Sequence, residues 1–399
     1  MSTLDELRRI VRRIEQSRPP RPAPEPIETL VGGRLEDTEH GPIVSVRSEY
    51  PLDHRHGDAA LAGAFGAAPT LLGLLTRQGA PAADARRLVF LDTETTGLAG
   101  GTGTYAFLVG VGFVDDDRFV VQQFFMRDLD EEPALLAALA PCLARAEGLV
   151  TYNGSGFDVP LLETRFVLAR RGWPDLWHLD LLAPARRVWG VRFADCRLAT
   201  LEAGVLGLAR ENDVPGAMIP ALYFDYLRRR RPGALPRVFA HNRHDVLSLV
   251  GLTAWFARAL DAPDDLPLTP EECAGLGRLW ERGDPERSLA CYRRALAGGL
   301  AGVEAHRVRL RLAWWEKRRA RWEAARELWE AATDAPRFDP RPWEELAKFY
   351  EHRSRDFATA RLVVLRAIER ARRAAAAPGV HQELDRRLAR LERRLAVSR

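Results

Sequence analysis

The chain has 399 residues, enough for two or three domains of ordinary size. Hydrophobic residues make up 46% and charged residues 29%, which fits a soluble globular protein and excludes wholesale disorder. The net charge of +4 is uneven: residues 1–270 sum to −5 and residues 271–399 to +9. The basic part is therefore a candidate polyanion-facing arm, with solvated helix surface as the plainer alternative.

No apolar run reaches the ~20 residues of a membrane span. Residues 1–20 lack the apolar segment of a secretory signal. Cys142, Cys196, Cys273 and Cys291 lie far apart with no CxxC pair, so reduced thiols in the cytoplasm are expected, without a disulfide frame or zinc site.

In chain order, residues 1–26 read as a short charged helix followed by a proline-rich linker, since proline removes donors and fixes φ. Residues 27–87 read as an extension packing on the domain that follows: short strands and turns over 30–50, then helix up to about residue 78. Asp53, His54, His56 and Asp58 cluster in this part. A polar turn explains them more simply than a metal site does. Residues 88–260 alternate strands and helices. "RLVFLDTET", "TYAFLVGVGFV" and "RFVVQQFFMR" are three consecutive Val- and Phe-rich strands, and "GLVTYNG" and "WHLDLL" hold two more. "EEPALLAALAPCLARA", "DVPLLETRFVLARRG", "LATLEAGVLGL", "FDYLRRRR" and "PRVFAHNRHDVLSLVGLTAWFARAL" read as helices. A mixed sheet flanked by helices, an α/β domain, is the expectation.

Residues 271–399 are purely helical and repeat. Ala290, Ala325 and Ala360 recur at steps of 35, and Gly277, Ala313 and Ala347 recur one helix earlier, with Trp280, Trp315 and Tyr350 near them. Small residues at helix crossings with a period near 34 resemble tetratricopeptide repeats. The aromatic stripe reads as core packing, and residues 370–399 as a basic capping helix.

Asp92 and Glu94 lie two apart on the first of these strands and so share a face. No Lys or Arg lies between Leu88 and Phe107 to neutralise them. A buried carboxylate pair costs several kcal/mol unless a cation compensates it, and hard oxygen ligands suit Mg²⁺ or Mn²⁺. Asp158 opens a helix after Tyr152-Asn153-Gly154, and Asp245 lies on a helix one turn after His241. Convergence of these four acids would meet the requirement of two-metal phosphoryl hydrolysis.

In order, Asp92-x-Glu94, Asn153-x-x-x-Phe157-Asp158 and His241-x-x-x-Asp245 resemble the three motifs of the DEDD (DnaQ-like) 3′→5′ exonucleases of RNase H-like fold. "DTETTGLAGGTGTYAFLVGVGF", "TYNGSGFDVPLLETRF", "DVPGAMIP" and "HNRHDVLSL" are similar to the YprB-type branch, whose members often carry a tetratricopeptide-like C-terminal region. The resemblance covers about residues 27–258. It implies two Mg²⁺ or Mn²⁺ ions and a nucleic-acid strand or 3′ end as substrate, DNA or RNA. Asp92 would be the ligand shared by both metals, Glu94 and Asp245 would hold the water-side ion, and Asp158 the outer ion. His241 would be the general base or a water positioner. Its distance of four residues before the last aspartate departs from the five of the family's histidine branch. His244 is the other histidine, pointing about 100° away on a helix.

Thr93, Thr95 and Gly97 are candidates to contact the terminal nucleotide through backbone amides, and Tyr152 to stack on a base. Asn153 is a candidate for a sugar contact or for orienting its loop. Phe157 reads either as a wedge beside the last bases or as core. Asp180 reads as a helix N-cap or a partner of the ligands. "GLAGGTGTY" lacks the GKS/GKT of a P-loop and reads as a tight turn; "RRRR" at 228–231 reads as a phosphate track or a helix end. Two further readings stand beside the exonuclease. One is a binding scaffold using the repeats to recruit a protein partner, with the acidic site vestigial. The other is an RNase H-type endonuclease.

Overall fold

A computed structural model describes residues 25–76, 78–79, 84–97 and 103–397. The charged helix expected at 1–17, most of the proline-rich linker and the glycine run 98–102 lie outside the described residues. The chain divides into two units. One comprises residues 1–182 and 197–258; the other comprises residues 183–196 and 259–399.

The first unit is built on a seven-stranded mixed sheet in the order β1-β2-β7-β6-β5-β8-β9. Its strands are β1 (Arg34–Thr38), β2 (Gly41–Pro51), β5 (Leu88–Thr95), β6 (Ala106–Asp115), β7 (Arg118–Phe125), β8 (Gly148–Thr151) and β9 (Trp177–Asp180). A two-residue hairpin, β3 (Arg55–His56) and β4 (Ala59–Ala60), stands apart from it. The strands from β1 to β5 pair antiparallel, and β8 and β9 add parallel to β5. Residues 27–87 thus donate two strands to the sheet itself. His56 is buried and bonded to Ser248 Oγ (2.8 Å), so it is a core histidine.

The longer helices of this unit are α1 (Glu132–Ala144), α2 (Asp158–Leu168), α3 (Leu182–Trp189), α4 (Leu198–Gly204), α5 (Ile219–Arg229) and α6 (Leu235–Asp261), with α3 and α6 each running on into the second unit, and single helical turns cover Ile27–Leu30, Ala62–Phe65 and Pro69–Gly73. Phe107 on β6 stacks on Tyr223 of α5 at 4.0 Å, and Phe125 packs against Tyr226 and Phe239. Burying each such ring contributes roughly 1.5–3 kcal/mol. The Arg228–Arg231 run is a helix end: Arg230 is left-handed (φ 51°) and pairs with Asp128.

The second unit is helical: α7 (Pro270–Trp280), α8 (Pro285–Ala297), α9 (Gly302–Arg318), α10 (Trp322–Thr333), α11 (Pro340–Lys348), α12 (Phe357–Arg373) and α13 (Pro378–Val397). Residues 183–196 belong to it because Val188 lies against Gly275 and Trp189 Nε1 donates to Glu272 Oε1 (2.9 Å). Ala313, Ala325, Ala347 and Ala360 are all buried, but Ala290 is exposed. Ser288 takes the expected place. It lies four residues after the N-cap Asp284, as Ala325 follows Arg321 and Ala360 follows Asp356, and its hydroxyl donates to Gly277 O (2.8 Å). The first step is therefore 37 residues, a difference that small-residue spacing alone cannot show.

Gly277 faces Tyr292 so closely that a Cβ would fall 2.6 Å from the ring. Tyr292 is 2% exposed and its hydroxyl donates to Glu281, so the ring has little room to yield. Gly277→Ala is expected to cost roughly 1–3 kcal/mol by overpacking, read as a lower urea midpoint of the full chain.

Candidate active site

Strand β5 alternates cleanly. Val89 and Leu91 join the main core, while Asp92 and Glu94 extend the opposite face that begins with Phe90. Asp92 pairs across to Gly110 and Glu94 to Leu108, and the register shifts between Glu94 and Thr95. Such an irregularity bends a strand and re-aims its side chains. Gly110 and Gly112 let α6 lie close on this face: a Cβ at 110 would fall 2.2 Å from Asn242 Oδ1, and one at 112 would fall 2.6 Å from Val246. Asn242 Nδ2 therefore reaches Asp92, donating to Oδ2 (2.8 Å) and to the main-chain O (3.1 Å). Gln123 Nε2 donates to Asn242 Oδ1 (2.7 Å) and fixes its orientation.

Asp158 arrives from the other side of β5, as the first residue of α2. Its loop is shaped by Asn153 in the left-handed region (φ 63°) and by Asp180, whose carboxylate accepts from the amides of Asn153 (2.7 Å), Ser155 (3.1 Å) and Leu182 (3.0 Å). Asp180 thus clamps the loop and caps α3. The Thr93 hydroxyl donates to Asp158 Oδ1 (2.5 Å).

Helix α6 brings His241 and Asp245 to the same place. His241 Nε2 lies 3.9 Å from Glu94 Oε1 and 3.6 Å from Asp245 Oδ2, and Nδ1 lies 2.8 Å from Asp213 Oδ1. His244 turns instead toward His56, with ring centroids 6.1 Å apart. Asp92, Glu94, Asp158 and Asp245 are near enough for their charges to act on one another, with His241 within 3.9 Å of Glu94 and Asp245.

Their crowding is visible in their proton affinities. Burial first, then the charges of Asp245, Glu94 and Asp158, push Asp92 well above the usual carboxylate range. Burial and the charges of Asp245 and Asp158 do the same to Glu94. Burial raises Asp158 to about 6 and also raises Asp245, where Arg210 and His241 oppose it. Asp213 goes the other way: burial would raise it, but the hydrogen bond and charge of His241 outweigh that and hold it low.

Of the candidate substrate contacts, Thr93 is engaged with Asp158 and the Thr95 hydroxyl donates to Gly97 O (2.9 Å). Gly97 has open space where a Cβ would stand. Tyr152 is half-buried, and Phe157 is 51% exposed beside Asp158, which removes the core reading.

Residues 89–257 match the RNase_H_2 family of the RNase_H superfamily. The uncharacterized protein YprB of Bacillus subtilis (strain 168) is 32% identical over 358 residues, spanning 87% of this chain and 84% of that protein. The chain belongs to the YprB family.

In this YprB-family chain, four residues at the site are not among the positions that the three short acidic motifs specify. Asn242 shares "HNRHD" with His241 but turns to the sheet, and the only hint of it is the pair of glycines opposite. Gln123 shows only as a polar residue inside an apolar strand. Arg210 and Asp213 lie on "RENDV", an irregular stretch with no periodicity. Arg210 donates to Asp245 and Glu202, and lies 3.1 Å from His241 Nδ1.

The donor set suits a divalent cation: hard carboxylate oxygens, shielded from water, whose mutual repulsion a dication would relieve. Among the described residues, however, no three His, Cys, Asp or Glu side chains are already disposed to hold one ion. Asp245 is turned to Arg210, and Asp92 to Asn242. Among the described residues, no helix is long and apolar enough to cross a membrane.

Proposed function

We propose that the chain is a metal-dependent 3′→5′ exonuclease of the DEDD type, hydrolysing phosphodiester bonds of single-stranded DNA or RNA. The observation that carries this reading is the meeting of Asp92, Glu94, Asp158 and Asp245, from one strand and two helices of an RNase H-superfamily domain, in one shielded cluster. These four would hold two Mg²⁺ or Mn²⁺ ions, which supply Lewis acidity and an acidified water.

The chain's own groups do the rest. Asp213 engages His241 Nδ1, leaving Nε2 toward Glu94 and Asp245, where it can accept the proton of an attacking water. Asn242 and Thr93 orient Asp92 and Asp158. Phe157, exposed next to Asp158, and the half-buried Tyr152 on the loop clamped by Asp180 would be the groups that stack on terminal bases. We assign the nuclease domain to residues 88–260 apart from 183–196, its sheet completed by the two strands of 27–87, and read the helical pairs of 271–399 as a tetratricopeptide-like array that docks a protein partner in the cytoplasm.

The test is hydrolysis of matched single-stranded DNA and RNA, labelled at either end, with Mg²⁺ or Mn²⁺. Mononucleotides released from the 3′ end are expected, with circular substrates untouched. Cleavage of circles would assign an RNase H-type endonuclease instead, and silence on every substrate would leave the binding scaffold.

A further inference from the structure

Arg210 lies between α4 and α5, and its donors are all directed at acids or at the imidazole. Nε donates to Glu202 Oε2 (2.7 Å), and one terminal nitrogen donates to both Glu202 and Asp245. The other reaches Asp213 Oδ2 at 3.2 Å and His241 Nδ1 at 3.1 Å. The Arg210 side chain is 12% exposed and that of Glu202 2%. Behind Glu202 stand the Ser248 hydroxyl, which donates to it, and His56 Nε2, 2.8 Å from Ser248 Oγ. The guanidinium is therefore anchored from the rear by Glu202 and presents its front to Asp245.

The cluster is asymmetric as a result. Asp92 and Asp158 are held by neutral donors, an amide and a hydroxyl, which a cation can share. Asp245 is held by a full positive charge. That charge compensates one carboxylate in place of a metal, and it repels any dication approaching the same oxygens.

We propose that Arg210 is a resident cation competing with a metal ion for Asp245, so that this side of the cluster fills only when the Arg210–Asp245 pair opens and Glu202 retains the guanidinium. The inference rests on the metal-dependent reading of the site. It makes Arg210 a positioning residue that sets the order of ion binding: the side formed by Asp92 and Asp158 fills first, and the Asp245 side second. No bond is made or broken beyond the ion pair itself.

The test is Mn²⁺ titration of the full chain without substrate, followed by electron paramagnetic resonance and calorimetry. The parent is expected to bind one ion tightly and a second about 10–100-fold more weakly, the range over which groups behind metal ligands set affinity. The double variant E202Q/R210Q removes one buried charge of each sign and so keeps the balance. It is expected to bind two ions with affinities within about threefold of each other. R210K keeps the charge but loses the planar fork whose Nε and second terminal nitrogen also hold Glu202 and Asp213. It is expected to strengthen the second site by roughly 3–10-fold, and it serves if the double variant does not fold. Two equal sites in the parent, or an unchanged gap in the folded variants, would overturn the proposal while leaving the nuclease reading intact. Absence of Mn²⁺ binding in every protein would overturn both.

Discussion

Asp92→Asn is expected to lower metal-dependent hydrolysis by on the order of 10³-fold or more, about 4 kcal/mol of transition-state stabilisation, because Asp92 is the ligand proposed to be shared by both ions. The same substitution is expected to raise the melting temperature of the protein in chelator. Asp92 is partly buried and feels the charges of Asp245, Glu94 and Asp158, so its own charge is a burden whenever no cation is present. An amide at 92 can still offer a carbonyl oxygen to Asn242 Nδ2, so the hydrogen bond that locates the side chain survives. Relief on the order of 1–3 kcal/mol follows from removing a charge in such surroundings. Paired measurements of 3′-end hydrolysis and thermal unfolding in EDTA check both halves. Parental activity in D92N would remove the catalytic assignment, and a lower melting temperature would remove the account of the cluster's repulsion.

The second large effect is a pH-dependent difference between the parent and Asp158→Asn. Burial raises Asp158 to about 6 from its ordinary 3.8, so between those values the folded protein binds a proton that the unfolded chain does not. Stability from this group therefore rises as pH falls through that window and is lost as pH rises through about 6. In chelator at pH 7.5, D158N should be the more stable protein by on the order of 2–3 kcal/mol, less a few tenths for a negative charge lost at the start of α2. At pH 4 the difference should nearly vanish. Comparing the two proteins cancels the histidines that titrate oppositely, such as His56, which burial lowers to about 4. Mn²⁺ at pH 7.5 should stabilise the parent and not D158N. Urea unfolding at both pH values is the measurement, and an equal difference at both would refute the link between repulsion and stability.

The strands and most helices were legible because their signals are local. Alternation in "LVFLDTET" fixes which side chains share a face, and the four-residue step from His241 to Asp245 places both on one side of a helix whatever surrounds them. The sheet order was less legible. β2 pairs with β7, some 70 residues away, and nothing in either strand names the other. The boundary of the helical unit was hidden for a similar reason. Residues 183–196 look like a continuation of the α/β domain until Val188 is found against Gly275.

The site divides along the same line. Its acids and His241 could be named from residue type and interval, because the identity of a titratable group and its position on a strand or helix are properties of a few neighbouring residues. The company they keep depended on the fold. Asn242 meets Asp92 across 150 positions, Arg210 meets Asp245 across 35, and Asp213 reaches His241 from an irregular loop. Periodicity carries no information across such gaps; burial does, since a charge withdrawn from water must find a partner wherever the packed chain places one.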